Sequence, residues 1–169
     1  MSYFHDMETD LVRALGYANL DTRLKRISDT MSHSLRAMYR NMQLDTEPNW
    51  YLVFWILREH PNISVTEIAL RLRFTHQSVV NMTNKMVQKG YLTPKKDATD
   101  KRKTIFELTS KAVAKFPLFT QIWEVGKTVT LELLNKNLEI MGHLEILEKN
   151  LEEASFGQRI TDKLNNIHQ

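Results

Sequence analysis

From Thr22 to Met42 the apolar residues Leu24, Ile27, Met31, Leu35, Met38 and Met42 recur at steps of three and four, which is the spacing of one helical face and predicts one long helix. The segment Asp45-Thr46-Glu47-Pro48-Asn49 combines turn formers with a proline that pushes its predecessor out of the helical region, and reads as a connector. Trp50 to His60 is apolar on nearly all sides, as expected of a helix enclosed by other elements, and Pro61-Asn62 stops it.

Ser64-Val65-Thr66-Glu67 has the spacing of a capping box and predicts a helix starting at Val65, with Val65, Ile68, Ala69 and Leu72 on its inner face. Thr75 is a second good cap, for a helix running to Lys89 that buries Val79, Met82, Thr83 and Met86 and is closed by Gly90. Two short helices joined by a turn, the second polar on its outer side, form a helix-turn-helix. Tyr91–Lys96 and Lys103–Leu108 then read as two strands around the loop 97–102, a β-wing. Thr109 caps a further helical region that reaches Gln169, with interruptions expected at Pro117, Gly142 and Gly157. Leu131, Leu134, Leu138, Met141, Leu144, Leu147 and Leu151 form a long apolar seam there. Together with the 22–42 helix it exceeds what a small helix-turn-helix could cover, so a second subunit is its natural partner.

Composition sharpens this picture in three ways. A chain of 169 residues leaves no room for a second large catalytic domain. The absence of cysteine excludes disulfides, thiolate metal sites and thiol-based redox sensing. The first residues, with Asp6, Glu8 and Asp10, lack the cationic and apolar pattern of a secretory signal, and no apolar run is long enough to span a bilayer, so a cytoplasmic protein that does not enter the membrane is expected. The six histidines show no paired metal-ligand spacing, and neither a phosphate-cradling glycine loop nor a nucleophile elbow occurs, so no enzyme, metal site or cofactor is expected.

Charge distribution changes the picture most. Between Lys85 and Lys103 seven cations face two acids, a local excess of five against a net charge of +3 for the whole chain. Cations gathered on one helix end and one hairpin are the footprint of phosphate contacts, which supply affinity without sequence information. The outer face of the second helix, Thr75, His76, Gln77, Ser78, Asn81, Asn84 and Lys85, is rich in amides and hydroxyls and contains no Glu, which suits base edges in a major groove. Candidate DNA contacts are these residues together with Lys95, Lys96, Asp100, Lys101, Arg102 and Lys103 of the wing.

The run from Ser64 to Thr109 resembles the DNA-binding core of the MarR family of bacterial regulators. Asp100-Lys101-Arg102 followed by Leu108-Thr109 is similar to that family's wing pattern, and Lys89-Gly90-Tyr91-Leu92 to its turn from recognition helix into wing. The chain departs from the pattern at Ala112, where many relatives carry Gly, and in a longer segment before Leu20. The resemblance implies a mainly α fold with a small β-wing, a winged helix-turn-helix with N- and C-terminal dimerisation helices. As one domain over 1–169, it would hold a DNA-binding lobe at 49–109 between dimerisation helices at 1–45 and 110–169. It further implies a homodimer on a pseudo-palindromic operator in double-stranded DNA, with Arg102 in the minor groove, Asp100 orienting it and Thr75 to Lys85 in the major groove. Members of the family commonly bind small aromatic compounds, and His33, Trp50, Tyr51, Phe54 and Trp55 are candidates to line such an effector pocket, although core packing explains them equally well. The expected output is repression of transcription. The rival readings are a winged-helix module for protein–protein interaction and a nonspecific DNA-binding protein.

Overall fold

The computed structural model describes residues 10–167; Asp6 and Glu8 of the acidic start, and His5 and His168, lie outside them. The chain divides into two compact units, Met1–Phe116 and Pro117–Gln169.

The first unit opens with a short helix α1 (Leu11–Ala14), capped by Asp10, whose carboxylate also pairs with Arg26 at 2.8 Å. Helix α2 (Leu20–Asn41) closes in a Schellman turn: Gln43 adopts φ 55°, and Leu44 N–H donates to the Tyr39 carbonyl at 2.9 Å. After a 3-10 turn at Pro48–Trp50 come α3 (Tyr51–Glu59), strand β1 (Ile63–Ser64), α4 (Val65–Leu72) and α5 (His76–Gln88). Strands β2 (Leu92–Lys96) and β3 (Thr104–Leu108) form the wing, and helix α6 (Ser110–Leu133) follows. The sheet is antiparallel in the order β1-β3-β2, with Leu92 opposite Leu108 and Ser64 opposite Ile105. The result is mainly helical with a small three-stranded sheet, a winged helix.

The capping box forms as its spacing demands. Glu67 N–H donates to Ser64 Oγ at 3.3 Å, and the Glu67 carboxylate accepts from Ser64 N–H at 2.9 Å. Ser64 also belongs to β1, so the same residue starts α4 and anchors the sheet. The core gathers Val53, Phe54, Leu57, Ile68, Val79, Met82, Met86, Tyr91 and Phe106, all buried. Phe54 meets Tyr91 edge-on at 5.6 Å and Phe116 at 6.2 Å.

Several expectations need correction. Helix α3 is not enclosed all round: Tyr51 and Trp55 face outward, and the Arg58 guanidinium covers the Trp55 ring at 4.4 Å. The apolar face of α2 calls for no such correction: Ile27, Met31 and Leu35 are exposed in the single chain, in keeping with a face too large for the lobe to cover, and the helix's buried residue is Tyr39. Strand β1 was unforeseen because two residues are too short to display a period.

In the second unit α6 ends where Asn135 and Lys136 take left-handed φ values of 50° and 61°. Helix α7 (Glu139–Glu153) starts as Glu139 N–H donates to Asn137 Oδ1 at 2.8 Å, and α8 (Phe156–Ile167) as Gln158 N–H donates to Ser155 Oγ at 3.2 Å. Pro117 and Gly142 therefore sit inside helices, whereas Gly157 stands in the first turn of α8, two residues past the break at Ala154 and Ser155. Pro117 deprives only the carbonyl of the exposed Val113, which water can satisfy, and a helical Gly costs only about 1 kcal/mol. The helices end instead at residues able to cap or to turn left-handed.

Candidate nucleic-acid interface

Helix α5 is fixed before it is exposed. Val79, Met82, Thr83 and Met86 are buried, and the Thr83 hydroxyl donates to the Val79 carbonyl at 2.9 Å, which removes its polarity from the core. Thr75 caps the first turn by accepting from Ser78 N–H at 3.2 Å, and the two hydroxyls bond each other at 2.7 Å. The helix ends in a second Schellman turn with Gly90 at φ 73°, where Tyr91 N–H reaches the Met86 carbonyl at 2.9 Å. The burial of one side leaves Thr75, His76, Gln77, Ser78, Asn81, Asn84 and Lys85 exposed along the other.

The wing loop is ordered by carboxylates. Asp97 Oδ1 accepts from Thr99 N–H at 2.8 Å, from the Thr99 hydroxyl at 2.6 Å and from Asp100 N–H at 2.8 Å. These bonds, led by the Thr99 hydroxyl, hold its carboxyl down at about 2. Asp100 accepts from Arg102 Nε and from Arg102 N–H, each at 3.1 Å, while the Arg102 side chain remains 92% exposed. The guanidinium is thus aimed without being buried. Lys96, Lys101 and Lys103 are exposed, whereas Lys95 is paired diagonally across the strands with Glu107.

A node that sequence spacing gave no hint of holds the far end of α5. Lys111 Nζ donates to Asp45 Oδ2 at 2.6 Å and to the Lys89 carbonyl at 2.8 Å, and lies 4.2 Å from the centre of the Tyr91 ring. The Tyr91 hydroxyl also donates to Asp45. Burial pushes the Asp45 carboxyl up, but the hydrogen bonds from Lys111 and Tyr91 outweigh it and hold it below the usual carboxylate range. Burial, then the Asp45 contact, pushes the Tyr91 phenol well above its ordinary value. Because 46 and 66 residues separate Asp45 from its partners, only the fold brings them together.

Two concave surfaces adjoin α5. One of about 700 Å³ is lined by Thr75, Ser78, Asn81 and Lys85 of the predicted set together with Arg36, Arg73 and Phe74. The other, about 440 Å³, is lined by Arg36, Tyr39, Arg40, Trp50, Lys85 and Lys89 among others. Of the five candidate effector residues only Trp50 reaches either surface; Phe54 lies in the core, and His33, Tyr51 and Trp55 are exposed elsewhere. Arg36 and Arg73 were missed by the sequence reading. Arg73 stands in the helix-turn-helix turn with φ 53°, and its position two residues before the cap Thr75 was the available signal. Among the described residues no group of three or more His, Cys, Asp or Glu is arranged to hold a metal, and no helix is long and apolar enough to cross a membrane.

A helix-turn-helix buried on one side, with a cationic, carboxylate-braced hairpin beside it, is a winged-helix lobe. The MarR family model matches residues 44–103. Over 93% of its length the chain is similar to a MarR protein from Peptoclostridium difficile, covering 98% of that chain at 20% identity and a TM-score of 0.64. It is likewise similar to Staphylococcus aureus MepR in complex with DNA, at 18% identity and TM-score 0.64 over 82% of this chain and 99% of that one. A third likeness is to the transcriptional repressor CouR bound to a 23-mer DNA duplex, with 22% identity, TM-score 0.63, and coverage of 80% and 95%. Among curated protein sequences none matches.

Proposed function

We propose that the chain is a sequence-specific regulator of transcription that binds double-stranded DNA as a homodimer, without catalytic activity. The observation that carries this reading is the Glu-free, amide- and hydroxyl-rich face of α5 beside the exposed Arg102, Lys101 and Lys103 of the wing, on one lobe. Phosphates would be held by Lys96, Lys101 and Lys103, base edges read by α5 in the major groove, and the minor groove entered by Arg102 braced on Asp100. That MepR and CouR are captured on DNA supports the same use of this lobe.

The exposed apolar residues of α2, α7 and α8 would supply the dimer's contact surface, and a two-fold dimer would set two α5 helices about 34 Å apart, on the half-sites of a pseudo-palindromic operator. Occupancy of that operator would repress. An effector has a place in the concavity lined by Tyr39, Trp50, Arg36 and Arg40, whose rings and cations suit a small aromatic compound carrying negative charge. Lys85 lines that concavity and also stands on the DNA-facing side of α5, so an occupant would compete with DNA for it.

A mobility-shift titration against a mixture of genomic fragments at two salt concentrations tests the reading. Preferred fragments should emerge, with affinity falling steeply as salt rises. Arg102→Ala and Lys103→Ala should each weaken binding, and Lys103→Ala should make the salt slope shallower by roughly one unit for each phosphate that is no longer neutralised. Equal affinity for every fragment would leave a nonspecific binder, and no shift at low salt would leave a protein-interaction module.

A further inference from the structure

Gln77 and Asn81 stand one turn apart on the exposed face of α5, and Gln77 Nε2 donates to Asn81 Oδ1 at 2.9 Å. The pairing fixes both side chains against each other before any ligand arrives. With those two atoms engaged, the Gln77 carbonyl oxygen remains an acceptor and the Asn81 amide nitrogen a donor. Exchanging which amide donates leaves the same outward pattern of one acceptor and one donor.

In the major groove only adenine presents a donor and an acceptor on one base, its N6 amino group and its N7. Guanine presents two acceptors, one of which would face the amide oxygen. Cytosine presents a donor alone, and thymine an acceptor and a methyl group. Building on the DNA-reading function proposed above, we propose that Gln77 and Asn81 act as one unit that selects a single adenine in each half-site, Gln77 Oε1 accepting from N6 and Asn81 Nδ2 donating to N7. Their neighbours are in part engaged already, because the Thr75 and Ser78 hydroxyls bond each other at 2.7 Å, which occupies one of their two O–H donors. Position supports the assignment, since recognition helices contact base edges from their N-terminal turns.

Selection from a randomised duplex library with the full-length protein, followed by single 7-deaza-adenine replacements in the selected site, tests the proposal. The replacement removes N7 and leaves Watson–Crick pairing intact. One adenine per half-site should lose roughly tenfold in affinity when so replaced, the range of a good bidentate contact. Gln77→Ala and Asn81→Ala should each abolish that penalty, and the double variant should bind no worse than either single one, with helical content by circular dichroism unchanged. A penalty that persists in both variants, or losses that multiply in the double variant, overturns the proposal. A consensus with no such adenine overturns the paired readout alone, whereas selection of no consensus overturns the regulator reading as well.

Discussion

The winged-helix lobe and the C-terminal unit use apolar residues in opposite ways. Between Trp50 and Phe106 the lobe buries a continuous set of aliphatic and aromatic side chains, while among the described residues from Pro117 onward only Phe119 is buried. Leu133, Leu138, Met141, Ile146, Leu151, Phe156 and Ile160 all stay exposed in the single chain. The lobe buries its apolar residues within itself, whereas those of the terminal helices are left uncovered in the single chain; in the proposed homodimer they would gain their burial on association.

The sharpest way to break the comparison is to open the lobe's core. Phe54 is 2% exposed and touches the rings of both Tyr91 and Phe116, so Phe54→Ala should cost about 3–5 kcal/mol in denaturant unfolding. Measured on the dissociated single chain, Leu133→Ala, at a side chain 68% exposed, should stay within about 0.5 kcal/mol. Comparable costs at the two positions would mean that the C-terminal unit is packed as tightly as the lobe.

Association is the next test in size. Met141 lies in the first turns of α7, where a carboxylate suits the positive end of the helix, so Met141→Asp should spare the helix while placing a charge on the seam. Losing about 1.5–3 kcal/mol at each of two symmetry-related positions would raise the dimer dissociation constant by at least roughly a hundredfold. Light scattering across a concentration series reads this directly. An unchanged mass at every concentration would remove this seam from the interface.

What could be read in the sequence follows the same divide. The capping box at Ser64, the cap at Thr75 and the stop at Gly90 act within a few residues, and each appears in the fold where its spacing put it. The burial of Val79, Met82, Thr83 and Met86 followed from one period of α5. The break at 134–138 did not follow from Pro117 or Gly142, because Pro and Gly interrupt an exposed helix only weakly; the Asn137 carboxamide, one residue before the Leu138 cap, and the cap Ser155 accept backbone N–H bonds where α7 and α8 start. The Asp45–Tyr91–Lys111 node and the approach of Arg36 to α5 were illegible for a different reason: they join residues remote in sequence, and no local propensity encodes such contacts. For the proposed DNA-facing surface, the sequence reading named the exposed side chains of α5 and the wing and, through the family resemblance, the Asp100–Arg102 contact, but neither the Lys95–Glu107 pair nor the Gln77–Asn81 pair, which depend on strand register and helix phase.

The smallest effect sharpens the comparison at the lobe's own margin, the wing loop, which resembles the terminal helices in being exposed yet is held by a carboxylate. Asp97 titrates at about 2 in the folded chain, against an ordinary value of 3.8. A depressed carboxyl contributes stability that is fully present above the ordinary value and is lost as pH falls through the folded one. Between pH 3.8 and about 2 the loop should therefore loosen, while at neutral pH it is fully braced. The Thr99 and Asp100 amides, which both donate to Asp97 Oδ1, report on this directly, and their NMR shifts should titrate together with a midpoint near 2. Asp97→Asn keeps an acceptor oxygen but removes the charge, so it should abolish that titration and speed amide exchange at Thr99 at neutral pH. Because the group is exposed, the change should stay local, with the unfolding midpoint of the core little altered. Amides that titrated at the ordinary carboxylate value would show that the Asp97 bonds do not persist in solution.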